Sequence, residues 1–167
     1  MTEQEEFNTG LEEAKKLARA LFTSDPNEEE LPSGAFWAHK TEKGAPLPEP
    51  GICYFALDPT FFSSPEEKEN LVRILQDMNK TYEAVWCFIS VRAWSAQARW
   101  EGEFPNSLAH HPGRMEVKFL RFEHRNLGAK TLVAPITLEN GVNVLGEFEE
   151  LPDDFDTRFK LFDRVSN

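Results

Sequence analysis

Side chains that move protons or hold anions fall close together in the middle of this sequence: His110, His111, Arg114 and Glu116. An imidazole can serve as a general base, a guanidinium as an anion clamp, and a carboxylate as the group that orients the imidazole. His111, Arg114 and Glu116 are therefore the candidate catalytic residues, for a small anionic substrate. Ser90 and Arg92, at the end of an apolar run upstream, could join them. A plainer reading stands beside this one. His-Pro-Gly at 111–113 reverses the chain, and Arg114 and Glu116 pair with neighbouring strands. His110 and His111 are adjacent and tend to point apart, so a metal site would need further ligands, and none stands at ligand spacing. His124 reads as a hairpin-edge residue.

Other catalytic signatures are missing. The chain holds no GxxxxGK[ST], GxGxxG or GxSxG, so nothing calls for a nucleotide, a dinucleotide or a hydrolase elbow, and no cofactor is expected. Cys53 and Cys87 lie in strand-like runs without CxxC or Cys–His spacing and read as buried thiols, not as a disulfide or metal site. Asp153 and Asp154 sit in an acidic tail and read as solvated. Trp86, Trp94 and Trp100 could form a platform for a base or a peptide. Core packing accounts for Trp86 and Trp94. Trp100 lies between Arg99 and Glu101 in an irregular stretch and reads as exposed, so Trp100, Arg99 and Arg92 are candidate binding residues.

Charge adds a second line of reasoning. The chain has 167 residues and a formal net charge of −11. Residues 1–30 hold nine acids and three bases, and residues 146–167 seven acids and three bases. The part between is nearly neutral, with a mildly basic stretch at 92–130. Such a balance repels nucleic acid and suits a basic partner, including one that itself binds nucleic acid. Plain solubility is the simpler account. No run approaches the roughly 18 uncharged residues of a membrane span. The opening Met1-Thr2-Glu3-Gln4-Glu5-Glu6 is acidic where a secretory signal is basic, so a cytoplasmic, globular protein is expected.

These residues need a scaffold. Phe7, Leu11, Ala14, Leu17, Ala18, Leu21 and Phe22 fall at helical spacing over 3–22, with Thr2 and Glu5 placed to cap the start, although Gly10 weakens the helix locally. A Pro- and Gly-rich connection over 24–50 is broken by a short strand at 35–40, and 51–57 is the next strand. Ser64 and Pro65 open a second helix whose stripe is Leu71, Ile74, Leu75 and Met78, ending near Asn79-Lys80. The run 84–89 is too continuously apolar for a one-sided strand and should be central, covered on both faces. After an irregular stretch at 95–113 come three strands: 115–123, 129–138 and 142–148. In the first the apolar phase slips at Leu120, which predicts a bulge or burial on both faces. Pro135 marks an edge or a bulge, and Asn140-Gly141 a hairpin. The tail, 149–167, carries Phe155, Phe159 and Phe162 among acids and is either a short docked helix or a segment that orders on a partner. The order predicts a single α+β domain. Its mixed or antiparallel sheet has about five or six strands, with helices on one face and a three-strand meander at the C-terminal end.

From residue 84 to 148 the chain resembles a family of small bacterial and phage-borne proteins of unknown function. The features are Ser90-x-x-Ala93-Trp94 at a strand end, His111-Pro112-x-Arg114-x-Glu116 at a strand start, and Ala134-Pro135-Ile136. The family pattern has an acid where this chain has Arg92. The resemblance implies a bacterial or mobile-element origin and no activity.

Three functions follow, in this order. The first is a non-enzymatic interaction protein that engages a basic protein partner or nucleic-acid-binding complex through its acidic ends, Trp100 and the Phe155/Phe159 tail. The second is a small enzyme using His111, Arg114 and Glu116. The third is a homo-oligomer in which the acidic helix of one copy meets the 92–130 face of another. Direct binding to nucleic acid or to a membrane is not expected.

Overall fold

The computed structural model describes residues 2–28, 30–39, 51–96, 114–152 and 160–163, with only the backbone at 94–96 and 114–115. Helix α1 (Glu3–Ala20) begins where the Thr2 hydroxyl accepts a hydrogen bond from the Glu5 backbone N–H at 3.1 Å. Glu3, Glu5 and Glu6 lie in its first turn and Arg19 in its last, as the helix dipole favours. Helix α2 (Pro65–Thr81) starts at Ser64, whose hydroxyl accepts from the Glu67 N–H at 3.1 Å. A short 3-10 turn, Pro59–Phe62, precedes it.

Seven strands are described: β1 (Ser33–Ala38), β2 (Ile52–Ala56), β3 (Ala84–Ala96), β4 (Arg114–His124), β5 (Gly128–Glu139), β6 (Val142–Leu145) and the two-residue β7 (Glu149–Glu150). All pairings among them are antiparallel, in the order β2-β1-β3-β4-β5-β6, with β7 on β5. This is the expected α+β architecture, with β4-β5-β6 as the meander. Asn140 and Gly141 both have positive φ, 52° and 80°, which is what a tight hairpin turn with the right twist demands.

The core explains why β3 is apolar in both phases. Trp86 and Phe88 pack with Phe7, Leu11, Ala14 and Ala18 of α1. Cys87 and Ile89, pointing the other way, pack with Leu71 and Leu75 of α2. The two helices therefore cover opposite faces of the sheet, which corrects the expectation of helices on one face. A strand without a polar phase needs cover on both sides.

β4 follows the same logic. Its register against β3 and β5 is unbroken through Leu120, so the phase slip reflects burial on both faces, not a bulge. Pro135 sits where β5 changes partner on its outer side, from β7 at Leu132–Val133 to β6 at Ile136. The last strand stops at Leu145, and the chain rejoins β5 as β7. Both cysteines are free, Cys87 buried and Cys53 partly exposed. They flank Phe36 on opposite sides in register, so two strand spacings, roughly 10 Å, part them and no bridge can form. Burial pushes the Cys87 thiol up to about 12.

Part of the acidic tail is docked. Leu161 is fully buried in the α2-side cluster. Its N–H donates to Glu123 Oε2 at 2.7 Å, and Asn79 Nδ2 donates to its carbonyl at 2.7 Å. Residues 160–163 dock as irregular chain, not as a helix. Phe155 and Phe159 lie outside the described residues.

Candidate functional site

The sheet face under α1 carries charge at both ends. At the end beyond the C-terminus of α1, β3 and β4 set Arg92 directly opposite Lys118 and Trp94 opposite Glu116. Two cations facing each other across a strand pair repel. The connection after α1 supplies the remedy, because Glu30 reaches over the sheet and contacts Lys118 Nζ, with its other oxygen 3.8 Å from Arg92 Nη1. Glu116 accepts from Arg92 Nε. The Arg92 guanidinium also lies over the Phe22 ring, 5.7 Å from its centre. The side chains of Lys118 and Glu30 are only 1% and 5% exposed. Burial lowers the Lys118 ammonium to about 8. Two anions and two cations thus close on one another.

This arrangement decides what the predicted site residues can do. Glu116 and Arg92 do come together, but as an ion pair inside that cluster. Ser90 is fully buried in the same face, opposite Leu120, where no substrate reaches its hydroxyl. The backbone of Arg114 lies in β4 opposite Ala96. His110, His111, Arg99 and Trp100 lie outside the described residues. Among the described residues no group of three or more His, Cys, Asp or Glu side chains could hold a metal ion. Glu30 and Lys118 escaped the sequence reading, although a signal was present: Lys118 shares its strand phase with Leu120 and Phe122, which are buried.

The opposite end is built differently. His124 is not an edge residue; it is fully buried beneath α1 at the end of β4. Its Nδ1 accepts from the backbone N–H groups of Asn126 at 3.0 Å and Leu127 at 3.3 Å. That leaves Nε2 to carry the proton of the neutral ring, 3.6 Å from Glu6 Oε1. Burial holds the His124 ring below its ordinary value of 6.5, with Glu6 opposing. His39, an exposed residue, places its Nε2 3.6 Å from the other Glu6 oxygen. The Glu6 side chain is 9% exposed.

Beside Glu6 a pocket of about 330 Å³ opens between α1 and the β1–β2 side of the sheet. It is lined by Glu6, Thr9, Gly10 and Glu13 from one side of the helix, and by Trp37, Ile52 and Trp86 from three successive strands. α1 lies over β3 and β4, and the pocket opens beside it toward β1 and β2. Gly10 is essential to the fit. A Cβ there would stand 2.7 Å from Trp86 Cδ1 and 2.9 Å from Phe122 Cζ. The residue that weakens the helix is the one that lets Trp86 seat beneath it. Trp86 is core, as the sequence suggested, and is also a wall of this pocket.

The end of α1 and the connection after it also meet the β6–β7 segment. The Arg19 guanidinium donates to the carbonyls of Leu145 (3.2 Å) and Gly146 (2.8 Å), and lies 5.7 Å over the Phe148 ring. The Asn143 N–H donates to the Ser24 carbonyl at 3.0 Å. Asp25, Glu28, Glu147, Glu149 and Glu150 are exposed around this junction. No helix among the described residues is long and apolar enough to cross a membrane. Compared with family models, curated proteins and solved structures, the chain matches none.

Proposed function

We propose that the protein is a non-enzymatic interaction protein that binds a basic protein partner through its acidic surfaces. The observation that carries this is the junction of the connection after α1 with the β6–β7 segment. Segments more than a hundred residues apart are stitched together by Arg19 and by the Asn143–Ser24 hydrogen bond, so their exposed carboxylates share one region. Like charges gathered in this way cost folding energy through mutual repulsion and are balanced when a polycation arrives. Lys130 reaches Glu150 at 3.4 Å, and the Glu28 carboxylate accepts from the Thr23 hydroxyl; neither contact consumes the whole cluster.

The enzymatic reading keeps less support. Glu116, its carboxylate, is held by Arg92. The self-association reading loses Arg92 and Lys118, which are turned inward, and keeps the exposed Arg125 of the 92–130 stretch.

Titration of the full chain with polylysine at rising ionic strength tests the proposal. Affinity should fall steeply with salt, and a Glu147→Lys/Glu149→Lys double variant should bind more weakly at low salt. Binding that ignores both salt and these substitutions would sink the electrostatic account.

A further inference from the structure

We propose that the pocket between α1 and the β1–β2 side of the sheet binds an alkylammonium group, the side chain of a lysine on the basic partner. Its methylenes would lie against Trp37, Trp86 and Ile52, and its ammonium would sit at Glu6 and Glu13. This assignment rests on the basic-partner reading above and names the chemistry that the partner must present.

The lining selects for this ligand. Among the described residues its charged members, Glu6 and Glu13, are both carboxylates. An anion would therefore meet repulsion. A purely apolar ligand would bury the Glu6 carboxylate, already 9% exposed, without giving it a charge partner. Two imidazoles, of His39 and His124, stand 3.6 Å from that carboxylate. One of them, His124, has its Nδ1 occupied by two backbone N–H donors, so it enters as a neutral ring.

The walls add selectivity. Indole faces attract ammonium groups, and more so when the site is shielded from water. Trp86 is 4% exposed and Trp37 half-buried, which supplies that shielding. The volume of about 330 Å³ lies at the small end of the roughly 300–1,000 Å³ typical of ligand pockets. It suits one side chain, not a nucleotide or a large cofactor.

The test uses the full chain and three probes: Nα-acetyl-lysine amide, its Nε-trimethyl form, and the uncharged Nα-acetyl-norleucine amide. The readout is the indole N–H resonances of Trp37 and Trp86, assigned with single Trp→Phe variants. Both cationic probes should shift the two resonances saturably below ~10 mM, and norleucine amide should not. Glu13→Gln should weaken the lysine probe about fivefold with the thermal midpoint unchanged. Glu6→Gln should weaken it further, and the partly exposed Glu13 keeps the test decisive should Glu6→Gln unfold the chain. Equal shifts from norleucine amide, or no saturable shift from either cation, would overturn the proposal. The two readings fail separately. Salt-dependent polylysine binding that survives Glu13→Gln unchanged, with silent indoles, removes the pocket and leaves the acidic junction. Saturable binding of the lysine probe without polylysine binding removes the junction and leaves the pocket.

Discussion

The two ends of the α1-covered sheet face place carboxylates in opposite situations. At one end Glu30 and Glu116 bracket Arg92 and Lys118, and the four charges close into a neutral knot with Lys118 1% exposed. At the other end Glu6 is nearly as buried but faces imidazoles at 3.6 Å and an open pocket. Burial is thus a poor guide to function here, and the completeness of charge pairing is a better one. A closed knot holds strands in place, whereas an incomplete one leaves room for a ligand.

Breaking the closed end should have the largest effect. Lys118→Met leaves Glu30 buried without its ammonium and should cost about 3–5 kcal/mol in urea unfolding. Pairing it with Glu30→Leu should restore much of that loss, since an apolar replacement of both partners removes the desolvation problem along with the attraction. If the double variant is no better than the single, the knot is not a coupled unit.

Gly10→Ala tests the open end by filling space. The new Cβ meets Trp86 and Phe122 at 2.7–2.9 Å and should cost about 1–3 kcal/mol, shifting the Trp86 indole resonance. A smaller effect should follow from acid. The folded state holds His124 below 6.5, so the unfolded chain takes up that proton first. Stability should therefore fall as the pH drops below about 6.5, and this group should contribute no slope well above it. Unfolding midpoints measured across that range should flatten in His124→Gln. The smallest effect belongs to Glu13→Gln, expected within about 0.5 kcal/mol of the parent by thermal unfolding, because Glu13 is partly solvated and sits where a ligand, not the fold, has use for it.

Elements with local signals were legible in the sequence. Ser64 and Pro65 announced α2, Thr2 and Glu5 the start of α1, and Asn140-Gly141 the last hairpin, because caps and tight turns are decided by a few adjacent residues. The apolar run at 84–89 announced the central strand. What could not be read directly was register. The alternation of Met115, Val117 and Phe119 as apolar residues assigns Lys118 and Glu116 to the solvent phase of β4. In the fold both phases are covered, and Lys118, Leu120, Phe122 and His124 all face α1. Glu30 was out of reach for another reason, since it joins the knot from a connection whose path no periodicity records. Gly10 reads in the sequence as a flaw in a helix, whereas in the fold its missing Cβ makes room for Trp86.

Leu161 carries a consequence for how the polypeptide matures. This side chain closes the α2 side of the core, and Asn79 and Glu123 hold its backbone in place. While the chain emerges from a ribosome, Leu71, Leu75 and Ile89 can collapse together long before Leu161 and Phe162 exist. Until Leu161 arrives, that layer has an apolar gap and the Asn79 amide lacks its acceptor, so a chaperone has its best opportunity to engage the nascent chain in that interval.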